Sequence, residues 1–161
     1  MNYKKTLVIV RHGNYGDDDR LDDRGRKQIE NLSTILKSGE ASSLISGNIV
    51  ILSSTAPRAK DSAEILFRGL NCASIELEHA DILWSGNDAP TSMSTEQVLQ
   101  LIQRKADQPA DPADVIIVVT HLEYVRSLPS RVGIEFYKTL DKGEMLVVDM
   151  ATKKHFFYSG N

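Results

Sequence analysis

Cysteine is almost missing from this sequence. Cys72 is the one thiol in 161 residues, which excludes an internal disulfide and any cysteine-rich metal spacing. A reducing compartment is the simplest setting, and the protein is expected to be cytoplasmic. Long apolar runs are missing too. The first, Leu7 to Val10, is too short for a signal-peptide core or a membrane span, so no membrane association is expected. No basic block stands out and the net charge is -3, so bulk electrostatics give no reason to recruit nucleic acid. Internal repeats and low-complexity segments are likewise absent. Hydrophobic residues make up 41% and charged residues 25%, an ordinary globular balance. The length fits one domain over residues 1-161, large enough to bury a core without covalent staples.

Three short apolar runs end in polar residues of matching character. Thr6 to Val10 is continuously apolar after its first residue, which reads as a strand buried on both faces, and it delivers Arg11, His12 and Gly13. Ile49 to Leu52 runs into Ser53, Ser54 and Thr55, then Pro57 at a helix's first turn with Arg58 beside it. Val115 to Val119 ends in Thr120 and His121. Between them lie helical patterns. Asp22 caps a helix whose Ile29, Leu32, Ile35 and Leu36 share one face, with Gly39 at its end. A second helix from Pro57 is expected to break near Gly69, and a third follows the Ser94 and Gln97 capping pair. Leu122 to Arg131 reads as a helix interrupted by Pro129. Ser74 to Leu77 alternates and reads as an edge or half-exposed strand, and Glu144 to Asp149 and His155 to Tyr158 as two late strands. This order predicts a three-layer α/β/α sandwich with a mostly parallel central sheet and one or two late edge strands.

In such a sheet, ligands bind beyond the carboxyl ends of the strands. Arg11, His12, Arg58 and His121 all fall there, so two arginines and two histidines converge on one anion. Arg58 is the oddest of them. A cation at a helix N-terminus faces the positive end of the dipole, unfavourable unless an anion lies between. For a phosphoryl group, the arginines neutralise and orient the oxygens, one histidine attacks phosphorus in its neutral form, and the other donates a hydrogen bond. His12 is the candidate nucleophile, because Gly13 frees space beside it, and His121 the candidate donor. None of this chemistry calls for a metal or a cofactor.

At these residues the chain resembles the histidine phosphatase, or phosphoglycerate mutase-like, superfamily. The motifs are Val10-Arg11-His12-Gly13, Leu21 with Gly25 and Gln28, Ser53-Ser54 with Arg58-Ala59 and Ser62-Ala63-Glu64-Ile65-Leu66, and Thr120-His121. The resemblance implies a phosphohistidine intermediate on His12, with Arg11, Arg58 and His121 forming the phosphate pocket. Gly13 and Asn14 are further candidate phosphate contacts. Relatives usually take their general acid from a Leu-x-Glu block after the third strand, or from an acid directly after the second histidine. Here Leu122 follows His121, and the corresponding block is His79-Ala80-Asp81, which makes Asp81 the first acid candidate and Glu123 the second.

The spacing of the blocks leaves little room for a lid, so an open pocket is expected. That suits phosphate displayed on a protein, as in the short SixA-type phosphohistidine phosphatases that the chain resembles in length and in its reduced acid block. A small phosphate ester is the alternative substrate, and a weakly catalytic phospho-ligand-binding module the alternative role. Among other residues, Asp17, Asp18 and Asp19 read as a solvated loop rather than a metal site. His155 reads as a surface residue, His79 as a site neighbour, and Trp84 as satellite core more than substrate contact.

Overall fold

The computed structural model describes residues 5–161. One six-stranded sheet organises them, in the order β3-β2-β4-β1-β5-β6. Strands β1 (Thr6–Arg11), β2 (Ile49–Ser53), β3 (Ile75–His79) and β4 (Val115–Thr120) run parallel. Strands β5 (Glu144–Asp149) and β6 (His155–Ser159) add antiparallel pairs beyond β1. The expected mostly parallel sheet with late strands on one side is therefore what forms.

Because β1 is covered on both faces, its alternate residues feed different cores. Val8 and Val10 pack with Ile29, Leu32, Ala63 and Leu66 of helices α1 (Asp23–Ser38) and α2 (Pro57–Leu70). Leu7 and Ile9 pack with Val98, Ile102, Tyr124 and Leu128 of α3 (Thr95–Ala106) and α4 (Leu122–Arg131) on the other face. Each such fully buried side chain contributes about 2 kcal/mol of hydrophobic stabilisation. The caps follow the sequence: the Asp22 carboxylate accepts from Gly25 N, and the Ser94 hydroxyl from Gln97 N.

Two helix boundaries differ from expectation. Helix α2 runs through Gly69 to Leu70, and Asn71 supplies the left-handed turn at φ 45°. Gly69 instead makes room for packing, since a Cβ there would lie 2.0 Å from Ser33 Oγ on α1. Helix α4 is not interrupted at Pro129 but continues to Arg131. The proline falls in the last turns, where its missing N–H removes one bond and the chain leaves the helix soon after. Among the described residues no helix is long and apolar enough to cross a membrane.

Strand register positions the site. Val10 lies opposite Val119, and Val119 opposite Ser53, so the three central parallel strands end level with one another. Beyond those ends the alignment persists: His12 N donates to Thr120 O at 3.2 Å and Ser54 N to Val119 O at 3.0 Å. Ser54, His121 and His12 are thereby set side by side at one sheet edge.

Candidate phosphate-binding active site

Arg58 joins the two histidines. Its Nε lies 3.3 Å from His12 Nε2 and its Nη2 3.3 Å from His121 Nδ1, with the two imidazole centroids 5.0 Å apart. A guanidinium only donates, so both of those ring nitrogens are acceptors. The other nitrogens must then carry the protons. His12 Nδ1 donates to the Gly13 carbonyl at 2.9 Å, and His121 Nε2 to Ser54 Oγ at 2.8 Å. Each neutral ring presents its unprotonated nitrogen to the site.

Burial enforces neutrality. Desolvation, opposed by the hydrogen bond to Gly13 and reinforced by Arg58, Arg11 and Lys142, lowers the His12 pKa to about 3. Desolvation together with His12, Arg58 and Arg11 lowers that of His121 to about 2. An imidazole held neutral among cations keeps a ring lone pair free of a proton.

Arg11 stands beside this trio without bonding to either ring. Its Nη1 donates to the Leu140 carbonyl at 3.1 Å, while its Nε is buried with no partner. Trp84 Nε1 is a second buried donor with no partner, on an indole that stacks against His121 at 6.5 Å between centroids. Trp84 therefore serves both readings, packed on the core around α2 and in contact with the site. Two orphan donors thus stand beside the site histidines that Arg58 joins.

Several other site candidates have different roles. Gly13 does not open ligand space: a Cβ there would meet Gly25 O at 2.7 Å, and its N–H is committed to Ser62 Oγ at 3.1 Å. Its size allows the strand-end loop to lie against the first turn of α1. Asn14 is likewise turned to that helix, its side-chain amide donating to Asp22 Oδ2 at 2.5 Å and its N–H to Gln28 Oε1 at 2.9 Å. Asp81 sits exposed in a short 3₁₀ turn, where it accepts from Thr55 Oγ1 at 2.6 Å. Glu123 is one of two carboxylates whose fields reach the Arg11 guanidinium, the weaker beside Asp141, and Ser85 Oγ donates to it at 2.5 Å. His79 is exposed at the end of β3, and His155 is exposed with its ring edge-on to Phe136.

Sequence reasoning overlooked three contributors. Tyr15 lies edge-on to His12 with ring centroids 5.3 Å apart, and its ring carries Arg58 Cζ at 4.8 Å and Lys142 Nζ at 4.5 Å. Asp19, expected to be solvated, pairs with Arg58. Ser54 carries His121, a role hidden within a serine run that reads as turn chemistry. Among the described residues no three metal-ligating side chains gather into one cluster, so the Asp17 to Asp19 loop does not form one.

This arrangement of sheet and helices is the fold seen in phosphohistidine phosphatases and a phosphoglycerate mutase of known structure. No family profile matches the sequence, and no curated protein does. Among solved structures, the chain is similar to a protein histidine phosphatase SixA complexed with tungstate, at 19% identity and TM-score 0.67, covering 95% of this chain and 94% of that one. It is similar to the phosphohistidine phosphatase SixA of Agrobacterium tumefaciens at 19% identity and TM-score 0.64, with 91% and 93% covered. A phosphoglycerate mutase from Plasmodium falciparum matches at 21% identity and TM-score 0.58, with 96% and 88% covered.

Proposed function

We propose that this protein is a phosphatase that works through a phosphohistidine intermediate on His12 and removes phosphate from phosphohistidine displayed on a protein. The observation that carries the reading is the His12 ring: neutral, fixed through Nδ1 on Gly13, and presenting an Nε2 lone pair to the Arg58 guanidinium. When a phosphoryl group enters, Arg58 Nε–H turns to its oxygens and frees that lone pair. Nε2 then bonds to phosphorus as the bond from phosphorus to the leaving group breaks, and the leaving group takes up a proton. Water next attacks phosphorus, the Nε2–P bond breaks, and inorganic phosphate departs. Arg11 and Arg58 supply the positive charge for both steps, so the chemistry calls for no metal.

Two features support a protein-borne substrate. The only helical or strand element inserted into the loops at that sheet edge, among the described residues, is the three-residue 3₁₀ turn Asp81–Leu83, and nearly the whole length of the SixA structures is matched. A phosphohistidine substrate releases imidazole, which needs less acid assistance than an alkoxide. A small phosphate ester is the second reading, favoured by the placement of Glu123 within the field of Arg11, where a leaving-group acid would stand.

The test is phosphate release, in excess chelator, from a histidine-phosphorylated carrier protein and from p-nitrophenyl phosphate, by wild type and His12→Ala. The expected result is rapid release from the carrier that requires His12 and exceeds release from the ester. Faster ester hydrolysis, also requiring His12, would favour the second reading. Release no faster than that of His12→Ala on both substrates would remove the phosphatase reading and leave a phospho-ligand-binding module.

A further inference from the structure

We infer that Ser54 is a positioning residue whose hydroxyl reverses its hydrogen bond to His121 when an anion binds, so that a neutral His121 becomes a donor to the phosphoryl group. The inference rests on the phosphatase reading and goes beyond it, because it assigns a task to a residue that acts through its bond to His121.

The free protein fixes the starting state. His121 Nδ1 faces Arg58 Nη2, which can only donate, so Nδ1 is an acceptor and Nε2 bears the proton. Ser54 Oγ accepts that proton at 2.8 Å and also accepts from Ala56 N at 3.1 Å. In this state His121 has no N–H to offer a phosphate. Its only nitrogen on the site side is Nδ1, since Nε2 is held by Ser54.

An entering phosphoryl group competes for Arg58 Nη2 and places oxygens, which accept, opposite Nδ1. Two acceptors facing one another repel, so Nδ1 must gain a proton. Acquiring a second proton to become imidazolium is opposed by burial and by Arg58, Arg11 and the neighbouring His12 ring. Exchanging tautomer is not. Nδ1 takes a proton from the water that enters with the anion, Nε2 passes its own proton to Ser54 Oγ, and Ser54 releases the hydroxyl proton it held before to that water, so the ring stays neutral and no proton is gained or lost. The Ser54 hydroxyl then donates to Nε2, the reverse of the starting bond. Ser54 and His121 are both buried, so an unpartnered Nε2 would have no water to turn to. A residue that only donates or only accepts could serve one state and not the other.

The experiment is ¹⁵N NMR of the His121 ring in the histidine-labelled full chain, with and without saturating inorganic phosphate, beside turnover of wild type, Ser54→Ala and Ser54→Thr. The expected spectra show Nε2 protonated in the free protein and Nδ1 protonated with phosphate. Ser54→Ala is expected to lose about tenfold to a hundredfold in kcat/KM, the cost of one buried unsatisfied nitrogen, and Ser54→Thr to regain most of it. A His121 that keeps its proton on Nε2 with phosphate bound, or that carries protons on both nitrogens, overturns the inference even where turnover depends on His12. Failure of turnover in wild type bears instead on the phosphatase reading, and the wild-type spectra decide the Ser54 inference without any variant.

Discussion

Asp19 lays its carboxylate on the guanidinium of Arg58, the group that also bonds both site histidines. The pairing is built in by the loop before α1. Asp19 adopts φ 63°, a left-handed conformation aspartate tolerates, inside a turn in which its N–H bonds Gly16 O and Gly16 N–H bonds Arg20 O. Arg20 pins the turn to α2 through a two-pronged pair with Asp61, at 2.9 and 2.6 Å. A carboxylate thus rests on Arg58, the guanidinium proposed to take the phosphoryl oxygens.

Removing that charge should ease anion entry. Asp19→Asn is expected to tighten binding of inorganic phosphate about threefold to tenfold, in line with about 1 kcal/mol for a partly exposed ion pair. Titration calorimetry at low salt measures it. Weaker or unchanged binding would mean that Asp19 orients Arg58 rather than competing for it.

The two acid candidates separate by substrate. Glu123→Gln is expected to slow alkyl phosphates by about a hundredfold, the scale of general acid assistance, and phosphohistidine only a few-fold. Asp81→Asn should change both by less than about threefold, because Asp81 is exposed, bonded to Thr55, and not among the charges that act on Arg11, His12 or His121. Initial rates on the paired substrates give the comparison, and the reverse pattern would restore Asp81 as the acid.

The packing between the strand-end loop and α1 has no slack. A Cβ on Gly25 would stand 1.9 Å from the Asn14 carbonyl oxygen, a backbone atom. Gly25→Ala is therefore expected to cost about 3 kcal/mol, at the upper end of overpacking effects, read from the urea midpoint. Because Asn14 is two residues from His12, turnover should fall as well. A midpoint within error of wild type would show that the loop yields freely.

Acid should destabilise the protein through the buried histidines. Unfolded, each ring titrates near 6.5, whereas folded His12 and His121 titrate near 3 and 2. Between those values the unfolded chain holds more protons, so stability rises with pH and falls as pH drops from 6.5 toward 3. The limiting slope is about 1.4 kcal/mol per pH unit for each ring. His12→Gln should flatten the dependence of the urea midpoint between pH 6 and 4 relative to wild type. Parallel curves for the two proteins would show that His12 is not held neutral.

Local residue pattern foretold the scaffold well. Continuous apolar runs marked β1 as a doubly covered strand and located β2 and β4, and Asp22 and Ser94 marked helix starts, because capping and strand burial depend on near neighbours in sequence. Pro129 and Gly69 misled for the opposite reason. A proline late in a helix removes little, and a glycine between helices answers to the facing Ser33 rather than to its own backbone.

At the site, the sequence alone determined which residues stand at the strand ends: Arg11, His12, Arg58 and His121, since each follows directly on an apolar run or helix start. It could not determine what those residues face. The common level of β2, β4 and β1 brings Ser54 to His121 and Arg58 to both rings across 67, 46 and 63 positions of chain. The same tertiary packing turned Asn14 toward α1, set Asp19 on Arg58 and brought Glu123 rather than Asp81 into the field of Arg11. Hydrogen-bond partners and pKa values depend on distances between elements, and those distances exist only once the sheet has set its register and the helices have closed over it.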